Sequence, residues 1–300
     1  MLDHGINGMI AMLKQRLQDE TLSERQMDFL NTAILEWQAA LRYEMRHRDY
    51  YRTLAEKESD VQQKSKYEEM AARIERVPAN PATNFIDALQ SISFMYLCLH
   101  AEDVGGHTLG RIDQILYPYY KKDIDEGVIT KEEAEEYFFD WWLKFNLSHI
   151  ILETDSESWA LPNTETDHTH NNGLVWTGFT DSITREKHTD DGYVIDIGGV
   201  DADGNDGVND ISWLVIKALN ELNTLGMKPV FKLNEKTSPE FAKACYETNS
   251  KIKYGFPAIT FDRNAVRAFR QEPNNKYTEE DLNNIVHIGC VELAVPGKSY

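Results

Sequence analysis

The sequence is poor in cysteine, with only Cys98, Cys245 and Cys290 in a chain of 300 residues. They are far apart, odd in number and show no CxxC spacing. That argues against a disulfide framework or a cysteine-rich metal site and leaves reduced thiols as the default. No apolar run reaches about 18 residues, so no membrane-spanning helix is expected. The richest stretch, "ALQSISFMYLCLHAEDVGG", is broken by Gln90, His100 and two acids. Basic residues are also short, 31 Lys and Arg against 50 Asp and Glu, for a formal net charge of -19. This disfavours a nucleic-acid partner, whose binding depends on cations that neutralise phosphates. The N-terminus "MLDHGINGMIAMLKQRLQ" has no basic head, long apolar core or cleavage site, so a cytoplasmic location is expected.

What is present is the composition of a globular protein, 41% hydrophobic and 27% charged. Residues 1–152 read as mainly helical. "ERQMDFLNTAILEWQAALRYEMRHRDYYRTLAEKE" carries apolar residues at three- and four-residue spacing. The prolines of "ERVPANPATN" end one helix, and Thr83 or Asn84 caps the next, over about 84–102. After the glycine-rich "EDVGGHTLGRID" two further helices follow, the second capped by Thr130 with Glu133 completing a capping box. Residues 153–207 are polar and turn-rich and read as insertion-like. From 208 to 300 helix and strand alternate, which implies parallel pairing in an α/β fold. Strands are expected at "KPVFKLN", "PAITFD" and "HIGCVEL", and a helix at "SPEFAKACYETNSKIKYG" with Ser238 as cap and Pro239 at its first position. The chain ends on the apolar segment "LAVPGKSY", where a sheet would have an unpaired edge, so we expect a piece of a longer polypeptide.

The segment with most chemical content is "GCVE", residues 289–292. In an extended strand, residues two apart point the same way, so Cys290 and Glu292 would share one cavity. A carboxylate beside a thiol raises the thiol pKa, which serves an ordinary thiolate nucleophile poorly. Hydrogen-atom transfer by a neutral sulfur, with Glu292 as proton acceptor, fits better. The plain alternative is a buried, inert Cys290 and a surface Glu292.

With "ITFDR", "VFKLN", "GGVDADGND", "GHTLGRIDQILYPYYKKDIDEGVITKEEAEE" and "VPANPATNFIDALQ" in order before it, "GCVE" resembles the glycyl radical enzymes, the pyruvate formate-lyase-like superfamily. The resemblance runs from about residue 20 to 300. It implies that the chain is the helix-rich part of an α/β barrel of ten strands, incomplete here, treated as part of a single domain. It implies a thiyl radical on Cys290. A glycyl radical would generate it, on a glycine outside this chain, installed by an S-adenosylmethionine-dependent iron–sulfur activating enzyme as partner. No metal or organic cofactor bound by the chain itself is implied. A homodimer, a small polar substrate and anaerobic metabolism are the family expectation. Formate-lyases that cleave pyruvate carry two adjacent cysteines; here Gly289 precedes Cys290, which points instead to the dehydratase and lyase branch. There Glu292 would be the base that helps expel a C–O or C–N leaving group. An arylacetate decarboxylase, or an inactive fragment or scaffold lacking the glycine loop, are the alternatives.

In "GGHTLGR", His107 and Thr108 correspond to a substrate-contacting His-Ser pair of the family, and a helix-capping turn is the competing reading. Arg111 and Asp113 read as a structural ion pair at the next helix start. "GGVDADGND" fails calcium-loop spacing and reads as a turn into a helix near Asn209 or Asp210. The HxH of His168 and His170 is a weak zinc signal in the polar segment. Cys245 lies in a second CxE, "CYE", but mid-helix, where those positions do not share a face, so Cys245 and Cys98 read as packing thiols.

Overall fold

The computed structural model describes residues 1–101, 108–154, 193–201, 203–222, 224, 226–252, 256–272, 276–289 and 292–298. Contacts divide the chain into two compact units, residues 1–102 and 103–300.

The first unit is helical: α1 (Gly5–Arg16), α2 (Glu24–Lys57), α3 (Val61–Arg76) and α4 (Phe85–Ala101). Ser23 caps α2 through a reciprocal box with Gln26, and Asp60 caps α3 by accepting from the Gln63 N–H at 2.8 Å. The helix expected after "VPANPATN" forms as α4, with the Asn84 side chain accepting from the Asp87 N–H at 2.8 Å. Ile6, Ile10 and Ile34 form a core, with Trp37 and Phe94 against it. Glu44, on α2, is fully buried. One oxygen accepts from the Ala79 N–H at 3.3 Å, and the other has no hydrogen-bond partner.

The second unit is α/β. Its order is β1 (Thr108–Gly110), α5 (Ile112–Asp125), α6 (Lys131–Thr154), β2 (Tyr193–Gly198), α7 (Asp210–Leu222), β3 (Met227–Leu233), α8 (Pro239–Lys251), β4 (Ala258–Phe261), α9 (Asp262–Arg270), α10 (Glu279–Asn283), β5 (Val286–Ile288) and β6 (Glu292–Ala294). The first four strands form a parallel sheet in the order β1-β2-β3-β4, as the alternating pattern implies. The capping expectations hold. Thr130 and Glu133 form their box on α6, and the Ser238 hydroxyl accepts from the Phe241 N–H at 3.1 Å. The Asn209 side chain accepts from the Ile211 N–H at 3.0 Å at the start of α7.

Two readings change. Residues 153–207, taken as insertion-like, contain β2, a wholly buried inner strand of the sheet. The stretch 155–192, with His168 and His170, lies outside the described residues. "HIGCVEL" is not one strand: β5 and β6 run antiparallel, with Ile288 opposite Glu292. Gly289 adopts φ +52°, a left-handed conformation that a continuous strand does not use.

Candidate active site

The site is built on the contrast between the two faces of the sheet. In a parallel sheet, residues in register point the same way and alternate residues point oppositely. Tyr193, Ile195, Ile197, Phe231 and Leu233 share one face, and all are buried. This face packs on helices: the Phe145 ring lies 5.6 Å from Tyr193, and Phe241 lies 6.0 Å from Phe231. The opposite face carries three polar rows. The first holds Thr108, Val194 and Lys228, the second Asp196, Val230 and Ala258, and the third Gly198, Lys232 and Thr260.

The β5–β6 hairpin is pinned to this polar face by buried side chains. Asp196, with no exposed surface, accepts from the His287 backbone N–H at 2.9 Å and from its Nδ1–H at 2.5 Å. Lys232, 1% exposed, donates to the Ile285 carbonyl at 2.6 Å and pairs with Asp262 at 3.3 Å. Arg111 donates to the Asn283 carbonyl at 2.9 Å and the Gly198 carbonyl at 3.0 Å, and also to the Val200 carbonyl. These contacts fix Asn283, Ile285 and His287 in succession, so the chain enters "GCVE" along a set path. Each buried charge is offset by a partner or by backbone carbonyls, which its desolvation requires.

Arg111 and Asp113 do not form the expected ion pair. Asp113, wholly buried, instead accepts from the Gly198 N–H and the Ser212 hydroxyl, each at 2.7 Å, and from the Gln114 N–H at 2.8 Å. Burial pushes its carboxyl above the usual range, with these hydrogen bonds opposing. Both residues thus hold the Gly198–Gly199 turn. There a Cβ on Gly199 would fall 2.6 Å from Asp262 Oδ2, so only glycine fits. The "GGVDADGND" loop closes on itself, with Asp201 Oδ1 accepting from the Asp203 and Asn205 N–H groups at 3.0 and 2.7 Å. Among the described residues no cluster of three His, Cys, Asp or Glu is placed to hold a metal.

Of the residues singled out in the sequence, Cys290 and His107 lie outside the described residues. Glu292 opens β6 and is exposed; its Oε2 lies 2.8 Å from where a Cβ on Gly289 would stand, so the carboxylate folds back over that glycine. Thr108 is half-buried on β1. Its hydroxyl donates to the Val194 carbonyl and accepts from the Gly110 N–H, both at 2.9 Å. Its one proton is therefore spent within the sheet, and a substrate would find only a lone pair. Cys245 is buried in α8, and burial pushes its thiol up to about 12. Sequence reasoning missed Asp196, His287 and Lys232. The available signal was a charged residue inside a short run otherwise apolar, "YVIDIG" or "KPVFKL", in a strand covered on both faces.

A family model described as "Pyruvate formate lyase-like" matches residues 1–300. Isethionate sulfite-lyase of Bilophila wadsworthia is 28% identical over 305 residues, covering 99% of this chain and 33% of that protein. (2S)-3-sulfopropanediol dehydratase of Klebsiella oxytoca is 28% identical over 304 residues, with coverage of 99% and 33%. A solved structure concerned with 1,2-propanediol dehydration in Roseburia inulinivorans superposes with a TM-score of 0.76 at 24% identity, covering 99% of this chain and 34% of its own. At that identity the likeness establishes the fold alone. The chain spans about a third of the length of the curated relatives it matches.

Proposed function

Since this chain belongs to the pyruvate formate lyase-like family, we propose that it supplies the cysteine hairpin of a glycyl radical enzyme of the dehydratase and lyase kind. Its helix-rich α/β fold is that of the corresponding third of the family's barrel structures. The observation that carries the reading is the pinned hairpin: Asp196, Lys232 and Arg111 hold the chain entering "GCVE" against the polar face of the sheet.

In this reading Cys290, as a thiyl radical, takes a hydrogen atom from a substrate carbon and becomes a thiol. Glu292 then accepts the proton of the hydroxyl beside that carbon, because a radical-adjacent hydroxyl is more acidic than its parent. The carbon–oxygen or carbon–nitrogen bond to the leaving group breaks, the leaving group takes up the proton held by Glu292 and departs as water or the free amine, and the Cys290 thiol returns its hydrogen atom to the product radical, which restores the thiyl. Glu292 is suited to this by position, since its carboxylate folds toward Gly289, next to Cys290 in sequence. His107 and the remaining lone pair of Thr108 would orient a substrate oxygen or its donor. The radical that oxidises Cys290 is stored on a glycine outside these residues and is installed by an S-adenosylmethionine-dependent iron–sulfur enzyme. A homodimer in the cytoplasm of an anaerobically growing cell completes the proposal. No described helix is long and apolar enough to cross a membrane.

The test uses the full-length gene product, activated anaerobically with its partner enzyme and followed by electron paramagnetic resonance and product analysis with diols, amines, hydroxysulfonates and arylacetates. We expect a glycyl doublet and elimination of water or an amine, with turnover abolished in Cys290→Ala and reduced at least a hundredfold in Glu292→Gln. Turnover unchanged in Cys290→Ala would remove Cys290 from the mechanism. Carbon dioxide release from an arylacetate would redirect the chemistry to decarboxylation.

A further inference from the structure

The helical unit leaves one stripe of α2 exposed. Arg25, Phe29, Thr32 and Glu36 follow one another at spacings of four, three and four, which gathers them within about 60° of the helix circumference. All four are exposed, Phe29 by 71%. A single exposed phenylalanine would call for no explanation. This one borders a groove of about 320 Å³, lined also by Arg16, Leu22, Arg25, Gln26 and Leu30. Arg16 is paired with Asp19, whereas neither Arg25 nor Glu36 has a partner among the described residues.

The stripe is complementary to its own reverse. Arg25 and Glu36 stand at its two ends, about 16 Å apart along the axis and equally far from a point between Leu30 and Asn31. Two copies of α2 laid antiparallel about that point set Arg25 of each copy against Glu36 of the other, and Phe29 of each beside Thr32 of the other. The pairing is reciprocal, as a two-fold interface requires. Nearby acids meet no acid in this register: Glu24 falls opposite Trp37 and Asp28 opposite Ala33. A parallel pairing in register would set arginine on arginine and glutamate on glutamate, so the charges select the antiparallel arrangement.

We propose that this stripe of α2 is a two-fold docking surface whose partner is a second copy of this chain. The proposal rests on the functional reading above for its homodimer and gives that dimer a surface; it draws on nothing in the reaction. Phe29 and the groove beside it supply the affinity, because an aromatic ring gains on leaving water while exposed ion pairs contribute little. The two Arg25–Glu36 pairs fix direction and register instead. They also answer an obstacle: two chains of net charge -19 repel each other, so a contact between copies needs a place where opposite charges meet.

The experiment is sedimentation of the unactivated full-length gene product over a range of concentrations, which requires no radical. We expect a dimer whose dissociation constant rises at least a hundredfold in Phe29→Asp. Arg25→Glu and Glu36→Arg should each weaken it about tenfold, since each sets like charges together at both ends. The double variant Arg25→Glu/Glu36→Arg should return to within about threefold of the unaltered protein, because every pair is again opposite. For the same reason an equal mixture of the two single variants should form mixed dimers in preference to either like pair. Arg46→Glu, further along α2, changes the net charge as Arg25→Glu does and should leave association unchanged. A dimer indifferent to Phe29→Asp would overturn the proposal, as would a double variant no tighter than the singles. A lower urea midpoint in Phe29→Asp with association unchanged would mean that further chain covers the stripe, and would overturn it too. A monomer at every concentration would remove both this surface and the homodimer, while a glycyl doublet on activation would leave the radical chemistry standing. A dimer that obeys the charge exchange but gives no doublet would do the reverse.

Discussion

The two faces of the four-stranded sheet are made from the same strands and are both buried over β2 and β3, yet they are stabilised by different physics. The helix face is apolar: Ile195, Ile197 and Phe231 gain from leaving water, in proportion to area and with little demand on direction. The hairpin face holds Asp196, Lys232 and Lys228 in comparable burial. Its groups gain only where a partner stands at hydrogen-bond distance, so it is specific in a way the helix face is not. The difference assigns separate tasks: one face makes the unit fold, and the other fixes where a short hairpin lies.

The same apolar replacement should break this symmetry most clearly. Phe231→Leu keeps the helix face apolar and should cost roughly 1–2 kcal/mol. Asp196→Leu leaves the His287 N–H and ring without an acceptor in a dry site, and should cost about 3–5 kcal/mol. Urea unfolding of the two variants measures both. Adding His287→Leu to Asp196→Leu should recover part of the loss, because the unpaired ring is then gone. A smaller loss for Asp196→Leu than for Phe231→Leu would mean that the polar face contributes no more than filler.

Glu44 sharpens the comparison from the helical unit, because it is a buried carboxylate only half satisfied. Burial pushes it up to about 7, with the Ala79 N–H and the charge of Arg48 opposing. A carboxyl whose folded value lies above its unfolded value of 4.5 binds more protons in the folded state between those values. Stability is therefore greatest below about 4.5 and declines as pH rises toward 7, by roughly 2–3 kcal/mol. Glu44→Gln keeps the neutral shape and should flatten that decline in denaturation midpoints measured across the range. A decline that persists in Glu44→Gln would assign the pH dependence elsewhere.

How much of this was legible in the sequence follows from the same contrast. Periodicity and capping are local, so α2, α4, α6 and α8 and the caps at Thr130 and Ser238 could be read directly. Parallel alternation gave β3 and β4, and with them the α/β class. The polar face was not legible, because Asp196 meets His287 across 91 residues and Arg111 meets Asn283 across 172. No local pattern records such pairs. Arg111 and Asp113, two apart, invited an ion pair; the structure turns each toward backbone groups of the glycine turn, which local spacing could not reveal. The division of "HIGCVEL" into two strands was signalled by Gly289 alone, and the alternating apolar residues around it concealed that signal.

Gly289 gives a smaller test at the hairpin itself. Gly289→Ala places a Cβ 2.8 Å from Glu292 Oε2 on a backbone at φ +52°. The flexible carboxylate can move aside, so the cost is mainly conformational, about 1–2 kcal/mol by urea unfolding. Because the substitution displaces Glu292, activity in the full-length enzyme should fall further than stability accounts for. Activity falling only in step with the folded fraction would separate Glu292 from the chemistry.

The smallest expected effect is an absence of reaction, and it compares the two CxE sequences. "CYE" and "GCVE" share their spacing, but Cys245 sits on α8 with no exposed surface, and burial pushes its thiol up to about 12. At pH 8 very little of it would be thiolate, the form that attacks alkylating reagents. Iodoacetamide should therefore leave Cys245 unmodified in the native protein and modify it promptly in urea, as read by peptide mass spectrometry. Modification in the native state at a rate near that of the unfolded chain would mean that α8 opens from the sheet. The apolar face would then be no more firmly closed than the polar one, and the contrast between them would fail on the side where it is most secure.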